Sequence, residues 1–352
     1  MLYYLYEWWG INLFHYITVR AIIAFFLAFI LTLFLFPKFI RWAKRKATQP
    51  IYELAPENHR QKSKTPTMGG VVFLTGAVVA VLLTAKLSNF YVQLSLLTIF
   101  LYLAIGAIDD YGKVVANSNH AGLSPKGKFL LQWGGAFLIG FMLYFHGFST
   151  ELFVPFYKYP VLNMGVWAVL FWGFVIVASS NAVNLTDGLD GLATVPSIFA
   201  LFSLAILLYI TGNAVFSHYL FLPFERGTGE VAIVAVALIG ALLGFLWYNA
   251  NPAEIFMGDS GSLTIGAVIG LFSILAKSEF LLLLMGFIFV VETLSVILQV
   301  GSYKTRKKRI FKMAPIHHHF EMVGWDENKI TVRFWIIALI TNILALLTLK
   351  LR

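Results

Sequence analysis

The 352-residue chain is 59% hydrophobic and only 12% charged, about half the charged share of roughly 25% typical of soluble domains, which excludes an ordinary soluble enzyme. Its net charge of +9 comes from Lys and Arg lying between apolar runs, a membrane-topology pattern and not the one-sided basic face of a nucleic-acid binder. No cysteine is present, so disulfide frameworks and thiolate chemistry are excluded as well.

Mean hydropathy is +0.80. Apolar runs long enough to cross a hydrocarbon core of ~30 Å as helices recur about ten times, near residues 17–36, 68–86, 91–108, 129–147, 164–183, 191–211, 230–248, 261–276, 280–299 and 333–350. The expected architecture is all-α: a single polytopic transmembrane domain over residues 1–352. The first run lacks a basic segment before it and a small-residue cleavage site after it, so it is expected to be an anchor and not a signal peptide. With the N-terminus outside, segments 37–67, 109–128, 184–190, 249–260 and 300–332 face the cytoplasm and hold 18 Lys and Arg, against six in the outer segments. That bias orients the bundle with both termini outside. All six aspartates and the triple histidine then fall on the cytoplasmic side, where the chemistry is expected.

The candidate residues follow in chain order. Arg60, Lys62 and Lys64 precede Pro66-Thr67-Met68-Gly69-Gly70. Asp109-Asp110 follow directly on an apolar span. Carboxylates at a helix C-terminus oppose the macrodipole, so two together invite a cation or a raised pKa suited to a base. Lys113 comes next, and Lys126 and Lys128 precede the fourth span. In Asn181 to Leu192, Asp187 and Asp190 would share a face at i and i+3 if they begin a helix, with Thr186 or Asp187 as its cap. Asn249 to Ser262 reads as a tight turn at the membrane surface, with Pro252 and Gly258. There Phe256 could stack on a base, and Asp259 could be a helix cap or a Mg²⁺ ligand. Glu292 lies mid-span, where it either serves function or bonds a neighbouring helix. A basic run extends from Lys304 to Lys312. In His317-His318-His319-Phe320-Glu321 the three imidazoles must point in different directions, so they cannot all bind one ion. One or two of them suit hydrogen bonding to phosphate or proton transfer.

Taken together and in this order, the stretches Thr65 to Gly70, Asp109-Asp110, Asn181 to Leu192, Phe256 to Ser262 and His317 to Glu321 resemble the phospho-N-acetylmuramoyl-pentapeptide transferase family, within the polyprenyl-phosphate N-acetylhexosamine-1-phosphate transferases. The resemblance implies Mg²⁺-dependent transfer of phospho-N-acetylmuramoyl-pentapeptide from its UDP carrier to undecaprenyl phosphate, releasing UMP, at the inner membrane of a bacterium. It implies Asp259 as metal ligand, with Asp109 and Asp110 as further candidates. Asp109 would be the base or covalent nucleophile, supported by Asp110. Asn184, Asp187, Asp190, Asn249 and Phe256 would hold the uridine and ribose, and Lys62, Thr67 and Lys113 nucleotide or phosphate. His318, with His317 and His319 beside it, would serve the substrate phosphate. A homodimer is expected from the resemblance alone. The alternatives are the sister transferase of N-acetylglucosamine-1-phosphate, disfavoured by the triple histidine with Phe320-Glu321 and by Pro66 to Gly70, and a transporter. Transporter sites usually lie mid-membrane between related halves, and no internal repeat is evident here.

Overall fold

Short polar side chains start several of the helices. Asn89 Oδ1 accepts from the backbone N–H of Tyr91 and Val92, at 2.9 and 3.1 Å, Ser124 Oγ from Gly127, and Asp326 from Asn328; each satisfies N–H groups that the first turn leaves free. The computed structural model describes residues 1–46, 65–116 and 122–351. Its helices are α1 Leu2–Trp9, α2 Ile17–Lys46, α3 Gly69–Thr84, α4 Phe90–Val115, α5 Pro125–Phe145, α6 Trp167–Thr186, α7 Thr194–Thr211, α8 Ala214–Tyr219, α9 Val231–Asn249, α10 Asp259–Leu275, α11 Leu282–Met285, α12 Phe287–Arg306, α13 Ile316–Val323 and α14 Glu327–Leu347. One two-residue antiparallel pair, β1 Glu151–Leu152 and β2 Leu162–Asn163, lies between α5 and α6 with Glu151 opposite Asn163.

Among the described residues, eight helices are long and apolar enough to cross a membrane: α2, α4, α5, α6, α7, α9, α12 and α14. The other two expected runs form α3 and α10, of 16 and 17 residues, about 25 Å long at 1.5 Å per residue. From Ser260 to Leu275 every residue of α10 is buried, because it packs between α6 and α4. Close approach is permitted by missing side chains. A Cβ on Gly266 would stand 2.3 Å from the backbone oxygen of Ser179, and one on Gly106 at 2.3 Å from that of Asp259. Small residues at such crossings let helix backbones meet where lipid gives no hydrophobic drive.

Several sequence expectations are corrected. Asp109 and Asp110 do not end their helix: α4 continues to Val115, since Lys113 one turn on pairs with Asp109 and removes the cost of a carboxylate near a helix end. Asp187 and Asp190 do not share a helix face. Asp187 caps the C-terminus of α6 and the next helix begins only at Thr194, leaving both aspartates in a turn. The expected 280–299 span is broken at Gly286 into α11 and α12, and α12 runs on to Arg306, so segment 300–332 is not a loop throughout.

At the end of the bundle away from the aspartates, Arg20 of α2 makes a two-pronged ion pair with Glu230, at 2.8 and 2.6 Å, where α9 begins. At the acidic end a separate apolar cluster of Leu189, Leu192, Ile288, Ile330 and Phe334, with Phe320 and Trp325 against it, fixes α13 onto the turn after α6.

Candidate active site

Four charged side chains from three helices converge. Asp109 of α4 is almost wholly buried; its Oδ2 accepts from Lys113 Nζ at 2.6 Å and Lys128 Nζ at 3.2 Å, and its Oδ1 from the Leu123 N–H at 2.8 Å. The same two ammonium groups reach Asp259 Oδ2, Lys113 at 2.9 Å and Lys128 in a short contact. Burial would raise the Asp259 carboxyl, but hydrogen bonding with Asp109 and the charges of Lys128 and Lys113 hold it well below the usual carboxylate range. Asp110 faces the other way. Its two oxygens accept from the N–H groups of Asp259 and Ser260, both at 2.9 Å, a two-point cap on α10 that sets where Asp259 stands. Gly258, just before, has φ +75° and would place a Cβ 2.6 Å from Asp110 Oδ2, so only glycine suits that position.

One oxygen each from Asp109, Asp110 and Asp259 lies within 4.8 Å of the others. The donor set is all oxygen, and each Asp110 oxygen retains a lone pair beyond its N–H bond, so the three carboxylates fit a hard divalent cation.

Two turns wall the cluster. In the first, Asp190 Oδ2 accepts from Asn251 Nδ2 and the Ala253 N–H, both at 3.0 Å. Asn249 Oδ1 accepts from the Gly191 N–H and Thr194 Oγ1, while its Nδ2 donates to the Ile255 carbonyl. These two residues clip the 187–191 and 249–256 turns to each other. Asn184 Oδ1 accepts from Ser262 Oγ at 2.7 Å, tying α6 to α10. Asp187 is only partly covered; burial of its carboxyl, then the charges of Asp259, Asp110 and Asp190, push it up to about 8. Phe256 is partly exposed and its backbone pairs with Pro66 and Gly69. This brings Thr67 in, buried, with a hydroxyl that makes no hydrogen bond among the described residues. Lys62, with Arg60 and Lys64, lies outside the described residues.

The histidines diverge as expected. His317 is buried and stands 3.1 Å from Glu292; His318 Nδ1 is 2.6 Å from Glu321; His319 Nδ1 accepts from the Lys312 N–H at 3.1 Å. An apolar cleft of about 250 Å³ runs along α6 from Phe171 to Val183, walled by Ile269, Phe289 and Val290, and stops one turn short of the acidic turn.

Comparison with known proteins gives the family. The glycosyl transferase family 4 profile matches residues 92–277, and signature 1 of phospho-N-acetylmuramoyl-pentapeptide-transferase matches residues 62–74. Curated proteins of that name from Nautilia profundicola, a Nitratiruptor species and Campylobacter hominis are 67%, 64% and 61% identical, each aligned over the whole of both chains. The chain belongs to the phospho-N-acetylmuramoyl-pentapeptide-transferase family.

For this transferase chain, the structure brings Asp109, Asp110, Asp259 and Lys113 into one cluster, with Asp187 near enough to feel its charges. Lys128, singled out in the sequence only as a basic residue before a span, joins the centre of the cluster. Its partners are 19 and 131 residues away, and no spacing rule links them. Within this acidic cluster, the Asp109–Lys113 pair, at i and i+4, has the spacing of a helix period.

Proposed function

We propose that this chain transfers phospho-N-acetylmuramoyl-pentapeptide from UDP-N-acetylmuramoyl-pentapeptide to undecaprenyl phosphate, giving lipid I and UMP for peptidoglycan synthesis. The partly buried Asp109–Lys113–Asp259–Lys128 cluster at the end of α4 and α10 carries the reading, in a chain 58–67% identical over nearly its whole length to transferases of that name. It acts as one domain of ten spans over residues 1–352, with both termini outside, in a bacterial inner membrane. The Lys and Arg bias supports a site facing the cytoplasm, where the nucleotide resides. A homodimer accords with the resemblance.

The reaction brings two phosphate-bearing substrates together, so charge must be neutralised before any bond can form. Asp259, Asp109 and Asp110 would hold Mg²⁺, which when bound supplies charge neutralisation and polarisation of the transferring phosphoryl group. Asp110 keeps Asp259 in place from the α10 terminus. Lys113 and Lys128, on mobile four-carbon stems, turn from the carboxylates to the pyrophosphate oxygens when substrate enters. Asp109 accepts the proton of the lipid phosphate, whose oxygen then attacks the sugar-linked phosphorus as UMP leaves. The cleft along α6 gives the polyprenyl chain an apolar berth ending beside the acidic turn. Asp187 and Phe256, the partly open members of the two turns, hold the uracil and ribose together with Asn184, while Asp190 and Asn249 shape the walls. Thr67 and Lys62 face the nucleotide phosphates, and His318, flanked by His319, the substrate phosphate.

UMP release by the purified chain tests this, with undecaprenyl phosphate, Mg²⁺ and either UDP-N-acetylmuramoyl-pentapeptide or UDP-N-acetylglucosamine. Release with the muropeptide nucleotide alone, lost on chelation, is expected. Preference for UDP-N-acetylglucosamine would assign the sister reaction, and nucleotide flux in proteoliposomes without UMP release would assign transport.

A further inference from the structure

Glu292 is a carboxylate in the middle of an apolar helix. It lies in α12 between Val291 and Thr293, and none of its surface is exposed. An ionisable group there is costly unless paired. Its neighbour is His317 of α13, Nδ1 at 3.1 Å from Oε1, with both side chains at most 1% exposed. The pair stands within ion-pair distance, and among the described residues neither Glu292 oxygen nor either His317 nitrogen makes a hydrogen bond.

The far edge of the same imidazole is closed off too. A Cβ on Gly188 would lie 2.3 Å from His317 Nε2, so the ring packs directly on the backbone of the turn that follows Asp187. The His318 ring lies beside it, 4.1 Å between centroids and tilted by 57°. His317 therefore touches three things: the α12 acid, the Asp187 turn and His318. A carboxylate held this close to Nδ1, with the Gly188 backbone against the opposite edge, restrains where the imidazole can lie.

We propose that Glu292 is a positioning residue for the transfer reaction, acting through His317. The pair is an internal strut that sets the Asp187 turn and His318 at a fixed separation, and His317 itself does not contact substrate phosphate. The role rests on the transferase reading above. It divides labour within the triple histidine: His317 faces inward, and His318, flanked by His319, faces the substrate.

The test uses the full chain in detergent with E292Q, H317Q and the double variant, reading UMP release and thermal unfolding. Each single change should lower kcat about tenfold or more, the scale of loss when the partner behind a working histidine is removed. KM for the nucleotide should stay within about twofold and the unfolding midpoint should hold. The double variant should be no worse than the weaker single one, because both remove the same strut. Additive losses, a raised KM with kcat intact, or a lowered midpoint with unchanged turnover per folded molecule would each overturn the role. Absence of UMP release by the unaltered chain would sink the transferase reading instead. A second arm needs no activity: the chain has no cysteine, so His318→Cys can be labelled alone with a charged maleimide. E292Q should change that labelling rate several-fold, and an unchanged rate overturns the proposal.

Discussion

Each aspartate of the acidic cluster has different partners and therefore a different sensitivity to change. Asp259 has one oxygen on two ammonium groups and its own N–H on Asp110. Asp259→Asn keeps the shape and loses the charge, so turnover should be abolished while expression and folding are retained; near-normal Mg²⁺-dependent UMP release would remove Asp259 from the metal site. Glu279 presents the opposite case, at the far end of the apolar cleft and buried. Burial pushes its carboxyl up from 4.5 to about 7, although Lys277 pulls it down. Between those values the unfolded chain has released the proton and the folded chain still holds it. This contribution is therefore full below about pH 4.5 and is lost as pH rises through about 7. Glu279→Gln cannot ionise, so its unfolding midpoint should gain on the unaltered chain as pH rises across that window. Parallel midpoint curves for the two proteins would refute the assignment.

At the scale of elements, the site is made by how closely α4 and α10 cross. Gly106 of α4 lies against the backbone of Asp259 and Ser260, with no room for a methyl group. Gly106→Ala must push the start of α10 away, which also moves the Asp259 carboxylate relative to Lys113 and Lys128. A loss of about 1–3 kcal/mol is expected for such overpacking. Because the crossing also sets the active geometry, kcat should fall further than the folded fraction does. A variant with unaltered midpoint and activity would mean that the two helices can separate freely. The ten apolar runs and the clustering of aspartates at one set of segment ends were legible in the sequence. That α4 passes through both aspartates was not, because the pairing that permits it includes Lys128 from another helix. Nor was the break at Gly286, which lies in an uninterrupted apolar stretch.

Over the whole molecule, charge and apolarity act on different axes. Lys and Arg decide which way the bundle sits in the membrane, and small residues decide how its helices meet. An alkaline phosphatase fusion at Arg352 should be active and one within residues 300–312 inactive; the reverse pattern would invert the proposed orientation. Membrane class, approximate spans and the family were decided by sequence alone, since apolar run length and the order of short motifs are properties of the linear chain. Tertiary structure alone decided that Lys128 joins the acidic centre, that Asp190 and Asn249 bind turns to each other, that Asp110 caps the helix bearing Asp259, and that His317 turns inward to Glu292. Those contacts join residues far apart in sequence, and they exist only once α4, α10, α12 and the turns between have packed, because no local period or propensity records which distant side chain will meet a given carboxylate.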